Sequence, residues 1–163
     1  MLTAEEFAIC CRELAEKSTA FPGFEWIIHE CKNRGTLVIR RTEVCAEMRR
    51  EFHVCYDEIY KVPLLLFNAW HPDGKLFSLE EVWATVSEAE ASRLKFDPWT
   101  MITQQEHPIF RTPWYCLHPC KTESILTLLR LSISQKRNCV LSWLSVVASV
   151  VGLEMPMQMF CEQ

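Results

Sequence analysis

Residues 51–70 have the sequence EFHVCYDEIYKVPLLLFNAW. In the first half, apolar side chains alternate with polar or small ones, a period that predicts a β-strand over 51–60. The second half is an almost continuous apolar run, which predicts a central strand over 62–70 that is covered on both faces. Because proline cannot donate to a sheet ladder, Pro63 indicates that this strand begins at an edge or a bulge.

Two shorter strands are predicted upstream, over 24–29 and 36–40, on either side of the turn signal at 33–35. Short connections between consecutive strands favour antiparallel pairing, so we expect an antiparallel meander of about four strands. The pairs Arg40-Arg41 and Arg49-Arg50 are expected at solvated strand ends.

The predicted helices flank this meander in the sequence. Two of them begin at capping boxes, in which a hydroxyl residue precedes a glutamate by three positions. The helices are expected at Thr3 to about Lys17, Ser78 to about Ala91, 122–131 and 138–153. Prolines in 97–113 predict an irregular loop, followed by a brief extended segment at 114–117. We therefore expect an α+β fold with helices on one face of the sheet, in a single domain spanning 1–163.

Composition restricts the classes of function. The chain has 163 residues, 49% of them hydrophobic, and a net charge of −4, without the concentrated basic face that nucleic-acid binding requires. The longest uncharged stretch, 138–153, is too short to span a bilayer. Nine cysteines at irregular spacing, with no secretory signal, argue against a disulfide framework. We expect a protein of the reducing cytoplasm, in which most of these thiols are small core or surface groups.

Chemistry is most strongly indicated at residues 114–121, which have the sequence WYCLHPCK. If this segment is extended, the side chains of residues 116, 118 and 120 point to one side. Pro119 stiffens the approach to Cys120, and His118 and Lys121 favour the thiolate form that attacks electrophiles. Cys120 is therefore the predicted nucleophile, with an unreactive loop cysteine as the simpler interpretation.

Other chemistries find less support. A metal site is conceivable from four possible ligands, although their spacing is unlike that of common zinc sites. These are His107, Cys116, His118 and Cys120. No phosphate-binding glycine loop or serine-hydrolase motif is present. A cysteine hydrolase with His107 or His118 as its base, and a non-catalytic binding module, both remain open.

Five stretches of the sequence are distinctive: VPLLLF at 62–67, PW at 98–99 followed by ITQQEHPI at 102–109, LHPCKT at 117–122, SWLS at 142–145 and VVGL at 150–153. Through them the chain resembles the autophagy-related protein 10 family over about residues 51–157. The connection at 39–52 is shorter than expected for that family.

The resemblance implies a fold like that of ubiquitin-conjugating enzymes and a transferase role in autophagy. An activating enzyme, autophagy protein 7, would load the ubiquitin-like autophagy protein 12 onto Cys120 as a thioester. Cys120 would then pass it to a lysine of autophagy protein 5, without a cofactor or metal. Ordinary ubiquitin-conjugating enzymes carry His-Pro-Asn upstream of the cysteine, whereas here the cysteine directly follows His-Pro. His118 is therefore the candidate to stabilise the oxyanion or orient the lysine. Tyr60, Gln104 and His107 are further candidates for shaping the site or contacting the acceptor.

Overall fold

A computed structural model describes residues 2–31, 36–86, 102–132 and 138–161. Helix α1 (Ala4–Ser18) precedes four strands, β1 (Ile27–Cys31), β2 (Thr36–Val44), β3 (Arg49–Asp57) and β4 (Val62–Trp70). Helix α2 (Leu79–Thr85), strands β5 (Ile102–Glu106) and β6 (Pro113–Leu117), and helices α3 (Pro119–Ser132) and α4 (Cys139–Val147) follow. Two short 3-10 helices, Ala148–Val151 and Met157–Phe160, end the described chain.

The strands form one antiparallel sheet in the order β1-β2-β3-β4-β6-β5. The predicted four-stranded meander is confirmed for β1 to β4, and β4 has the predicted bounds. The strand number is wrong, because β6 pairs with β4 and β5 forms an additional outer strand. The loop predicted over 97–113 is thus partly strand, and its first residues, 97–101, lie outside the described part of the chain.

Pro63 fits the ladder without a described bulge. It lies opposite Tyr56 in the register of β3 and β4, while β6 reaches β4 only at Leu66 and Phe67. Pro63 therefore lies outside the part of β4 that pairs with strands on both sides. At this position the N–H that proline lacks is not needed for a hydrogen bond to β6.

The four α-helices of the described residues bury their apolar sides in one cluster on one face of the sheet. From the helices this cluster takes Phe7, Leu14, Val82, Ile125, Trp143 and Leu144, and from the strands Ile39, Phe52, Leu65 and Tyr115. Fully burying one such side chain contributes about 1.5–3 kcal/mol. The opposite face has a smaller cluster made of strand residues, with Leu64, Leu66 and Cys116 at its centre. The predicted α+β class with helices on one face is confirmed.

Both capping boxes are present, at Thr3 with Glu6 and at Ser78 with Glu81. The last predicted helix is shorter than expected, because it changes to 3-10 geometry at Ala148 and ends at Gly152, whose φ is 68°. Such a left-handed residue stops a helix, and glycine adopts it without steric cost. The second predicted helix ends at Thr85, and its expected continuation lies outside the described residues.

The arginines predicted at solvated strand ends divide into two kinds. Arg40 and Arg49 are exposed, whereas Arg41 is buried, with its guanidinium over the Phe24 ring. Arg50 donates to the carbonyl oxygens of Val151 (3.1 Å) and Gly152 (3.0 Å). The expectation was therefore wrong for Arg41 and Arg50, since both bind groups far away in the sequence.

The short connection at 39–52 is a hairpin. It closes through a backbone hydrogen bond from Cys45 N to Met48 O, 2.9 Å long, between β2 and β3. No helix of the described residues has the length and apolar character needed to cross a bilayer.

Candidate active site

The candidate nucleophile lies where the chain passes from the sheet into α3. Strand β6 ends at Leu117, His118 follows, and α3 begins with Pro119. Proline suits this first helical position, since its φ is already helical and the N–H that it lacks would have no helical partner. Cys120 is thus the second residue of α3. The unpaired N–H groups and partial positive charge of a helix start favour an anion, and the first turn contains no acidic residue.

This geometry corrects the expectation that residues 116, 118 and 120 share one side of an extended segment. Alternation ends with β6, because the backbone is helical from Pro119 onward. Cys116 is fully buried on the face away from the helices, and its sulfur lies 3.3 Å from the Thr103 hydroxyl. Burial raises the pKa of Cys116, which makes it a poor nucleophile. The presentation of the Cys120 sulfur to solvent lies outside what the structure describes.

Tyr60 and His118 lie together beside this helix start. Their ring centroids are 6.2 Å apart and the planes are inclined by 70°. Tyr60 is 38% exposed and belongs to the loop between β3 and β4. The Asp57 carboxylate orders that loop by accepting from the backbone N–H of Ile59 (2.9 Å) and Tyr60 (2.8 Å). The structure thus brings together two of the predicted site residues that are 58 positions apart in the sequence.

Gln104 is exposed at the middle of β5, opposite Tyr115 in the register. Because paired residues point to the same face, Gln104 lies on the helix side of the sheet, as do Ile102 and Leu117. The Gln104 side chain is therefore accessible to a partner. It lies two residues along β5 from Ile102, which pairs with Leu117, the residue before His118.

His107 lies at the other end of the β5–β6 hairpin. The pairs Ile102–Leu117 and Glu106–Pro113 mark the two ends of that ladder, about 13 Å apart at the usual rise of a strand. His107 is completely buried, and its Nε2 lies 2.9 Å from Nδ1 of His53. Burial favours the predicted shaping role of His107 over contact with an acceptor. Its position also argues against His107 as the base of a Cys120 hydrolase.

The buried imidazole of His107 is part of a longer chain of hydrogen bonds. The backbone N–H groups of Ile109 and Phe110 donate to its Nδ1, and Nε2 of His53 lies 2.8 Å from a Glu51 carboxylate oxygen. Burial lowers the pKa of His107 to about 4, with a further contribution from His53. The hydrogen bond from His53 lowers the pKa of Glu51. The sequence analysis did not identify His53 and Glu51 as members of this chain. Their spacing of two residues along one predicted strand, which puts both side chains on the same face, was the available signal.

The possible metal ligands named from the sequence do not converge among the described residues. His107 is engaged by His53 and Cys116 by Thr103. Within 2–31, 36–86, 102–132 and 138–161, no group of three or more His, Cys, Asp or Glu side chains is arranged to hold a metal ion.

Two solved structures share the fold of this chain. A crystal structure of an autophagic E2, Atg10, superposes with a TM-score of 0.61 and 20% identity, covering 94% of this chain and 99% of that one. Solution structures of KmAtg10 give a TM-score of 0.57 and 17% identity, covering 94% and 97%.

Sequence comparison identifies the family. A family model described as autophagocytosis associated protein, active-site domain, matches residues 31–158, which include Tyr60, His118 and Cys120. The chain belongs to this family.

Curated relatives named ubiquitin-like-conjugating enzyme ATG10 include proteins from Homo sapiens and Arabidopsis thaliana. The relative from Homo sapiens is 40% identical over 137 residues, which is 82% of this chain and 60% of that protein. The relative from Arabidopsis thaliana is 40% identical over 116 residues, 67% of this chain and 51% of that protein. The chain thus spans about half to three fifths of the length of these relatives.

Proposed function

We propose that this chain is a ubiquitin-like-protein conjugating enzyme that carries its modifier as a thioester on Cys120. The observation that carries the proposal is the place of Cys120, in the first turn of α3 directly after His118 and Pro119. A helix start favours a thiolate, and a thiolate is the form of cysteine that attacks an acyl group. The names of the curated relatives support the same activity.

The reaction has two acyl transfers. The Cys120 thiolate attacks the carbonyl carbon of the modifier thioester on an activating enzyme, and the thiolate of that enzyme leaves. An amine of an acceptor lysine then attacks the Cys120 thioester, the amine gives up a proton, and the Cys120 thiolate leaves as the isopeptide bond forms. His118 is proposed to donate to the oxyanion of the second step or to orient the lysine, since no asparagine stands before the cysteine.

The proposed partners are those of the autophagy conjugation system: autophagy protein 7 as activating enzyme, autophagy protein 12 as modifier and autophagy protein 5 as acceptor. We propose that residues 1–163 act as one domain in the cytoplasm. Tyr60 and Gln104 are proposed to contact the acceptor or shape its approach, and buried His107 to maintain the turn after β5.

Reconstitution with activating enzyme, nucleotide, modifier and acceptor tests this function on gels run with and without reductant. The wild type should give an adduct that reductant cleaves, and Cys120→Ser should give an oxyester that resists it. Cys45→Ser is the matched control, because Cys45 is exposed in the β2–β3 turn and should load normally.

Two outcomes would contradict the proposal. Non-covalent binding of the modifier without any adduct would identify a binding module on the same fold. Release of free modifier from a conjugate without an acceptor lysine would identify a cysteine hydrolase.

A further inference from the structure

Cys10 and Cys139 meet where α1 packs against the start of α4. They are separated by 129 positions in the sequence, and their sulfur atoms are 3.5 Å apart. Both side chains are half-buried, so that small reagents have access to them while the surrounding core holds them in place. A disulfide needs its sulfur atoms at about 2.05 Å, so the pair has to approach by about 1.5 Å.

Asn138 fixes the two helices against each other at this point. Its side-chain amide donates to the carbonyl oxygen of Cys10 (2.7 Å) and to a carboxylate oxygen of Glu13 (3.0 Å). Its side-chain oxygen accepts from the backbone N–H of Leu141 (2.9 Å) and so caps α4. The approach of Cys10 to Cys139 is thus held by hydrogen bonds on both helices.

The surroundings of Cys10 favour its thiolate. The Cys139 side chain, whose sulfur lies 3.5 Å away, is the main cause that lowers the pKa of Cys10, and the backbone N–H groups of Cys139 and Val140 at the start of α4 lower it further. Partial burial and the charge of Glu13 oppose these effects, and the pKa of Cys10 is lowered to about 7.

Other described cysteines do not share this character. Burial raises the pKa of Cys11, Cys55 and Cys116, so these three remain thiols at neutral pH. Cys45 and Cys161 are exposed, and the S–H group of each donates to a backbone carbonyl oxygen of its own turn. Cys10 therefore combines a favoured thiolate with a second thiol in position to react with its oxidation product.

We propose that Cys10 and Cys139 form a redox-modification site, which a hydroperoxide oxidises to a reversible disulfide between α1 and α4. The Cys10 thiolate attacks one oxygen of hydrogen peroxide, hydroxide leaves, and Cys10 becomes a sulfenic acid. The Cys139 sulfur then attacks the Cys10 sulfur, and the sulfenic oxygen leaves as water. In total, two thiols and one hydrogen peroxide give one disulfide and two waters, and a dithiol reductant reverses the change.

The disulfide would close a loop of about 130 residues and so restrict the unfolded chain strongly. We expect the melting temperature of the oxidised form to exceed that of the reduced form by about 5 °C or more. The proposal does not rest on the conjugating activity, because it uses neither Cys120 nor His118.

Peptide mapping after mild oxidation tests the pair. The Cys120→Ser chain is treated with equimolar hydrogen peroxide, blocked with an alkylating agent and digested for mass spectrometry. We expect a linked peptide that joins the start of α4 to α1, two hydrogens lighter than the free peptides and separated by dithiothreitol. Because Cys10 and Cys11 are neighbours in one peptide, two variants identify which of them is bonded to Cys139. The linked peptide should disappear in Cys10→Ala and persist in Cys11→Ala.

A second measurement, of alkylation, needs no substitution at Cys10, Cys11 or Cys139. As the pH is raised, the rate at which iodoacetamide alkylates Cys10 in the unoxidised chain should increase with a midpoint near pH 7.

A third measurement traps the intermediate. In Cys139→Ser, peroxide should leave a Cys10 sulfenic acid that dimedone traps. The proposal is overturned if peroxide links Cys45 or Cys161 in place of the pair, if no link forms in the folded chain, or if the Cys10 midpoint lies near the ordinary value of about 8.5.

Discussion

Nε2 of His107 lies 2.9 Å from Nδ1 of His53, on the face of the sheet opposite the helices. Since Nδ1 of His107 accepts from the backbone N–H groups of Ile109 and Phe110, its hydrogen is on Nε2 and is donated to His53. His53 in turn donates from Nε2 to Glu51. The turn after β5 is therefore held by a neutral His107, and protonation of Nδ1 would displace both backbone donors.

Stability should fall on mild acidification because of His107. Its pKa is lowered from 6.5 to about 4 on folding, so between these values the unfolded chain binds the additional proton. The stability that neutral His107 contributes to the fold is complete above about pH 6.5 and is lost as the pH falls toward 4. We expect His107 to lower the free energy of unfolding by about 1 kcal/mol at pH 5.5 relative to pH 7.5. Urea unfolding at the two pH values measures this.

The control for that experiment is His107→Asn. The amide oxygen of asparagine accepts from the same turn N–H groups but does not titrate. The variant should therefore lose less stability between pH 7.5 and 5.5 than the wild type does. The lowered pKa of Glu51 acts at lower pH, since that contribution is present above its ordinary value of 4.5 and is lost as the pH falls below it. Equal losses in both proteins would show that His107 is not the group responsible.

Arg50 should stabilise the fold far more than its neighbour Arg49. Its guanidinium binds two carbonyl oxygens at the end of the 3-10 helix and also the Glu43 carboxylate, at 2.6 Å. Lysine cannot reproduce this fork of donors, so we expect Arg50→Lys to lower the free energy of unfolding by about 1–3 kcal/mol. Arg49→Lys, at a site whose side chain is 53% exposed, should change it by less than about 0.5 kcal/mol. Similar effects of the two substitutions in urea unfolding would contradict this prediction.

Much of the fold follows from local patterns. The apolar run of β4 and the two capping boxes predict elements that the structure contains, because each pattern is complete within a few residues. Strand β5 was not predicted, because its pattern is not complete within the segment. Only the first side chain of its sequence, ITQQE, is buried, and the segment is a strand because it pairs with β6, which lies further along the chain.

The residues of the candidate site were proposed from the sequence, and the structure corrects the geometry that the sequence predicted for them. The sequence around Cys120 predicts a candidate nucleophile, but the predicted alternation of side chains continues through Pro119, where the backbone is already helical. Contacts between distant segments had no signal in the sequence: Tyr60 with His118, and Cys10 with Cys139. Such pairs depend on how strands and helices pack, which periodicity alone does not specify.

His118→Ala should slow transfer to lysine more than it slows loading of the thioester. If His118 donates to the oxyanion of the second step, its removal acts on the attack by the amine, and a loss of about 100-fold is typical for one such donor. Single-turnover loading and discharge to free lysine, followed separately, measure the two steps. Equal losses in both would assign His118 a purely structural role.

Tyr60→Ala should affect the same step through the position of His118. The Tyr60 ring lies at 6.2 Å from the imidazole, on a loop that the Asp57 carboxylate orders, so removing the ring leaves His118 less well placed. We expect discharge to lysine to fall about 10-fold while loading changes by less than about twofold, because small displacements are costly in catalysis. Ile59→Ala is the matched control, since Ile59 is 86% exposed on the same loop. Tyr60→Phe keeps the ring and should keep most of the discharge rate. If Tyr60→Phe is as slow as Tyr60→Ala, the hydroxyl acts directly and the positioning role is wrong.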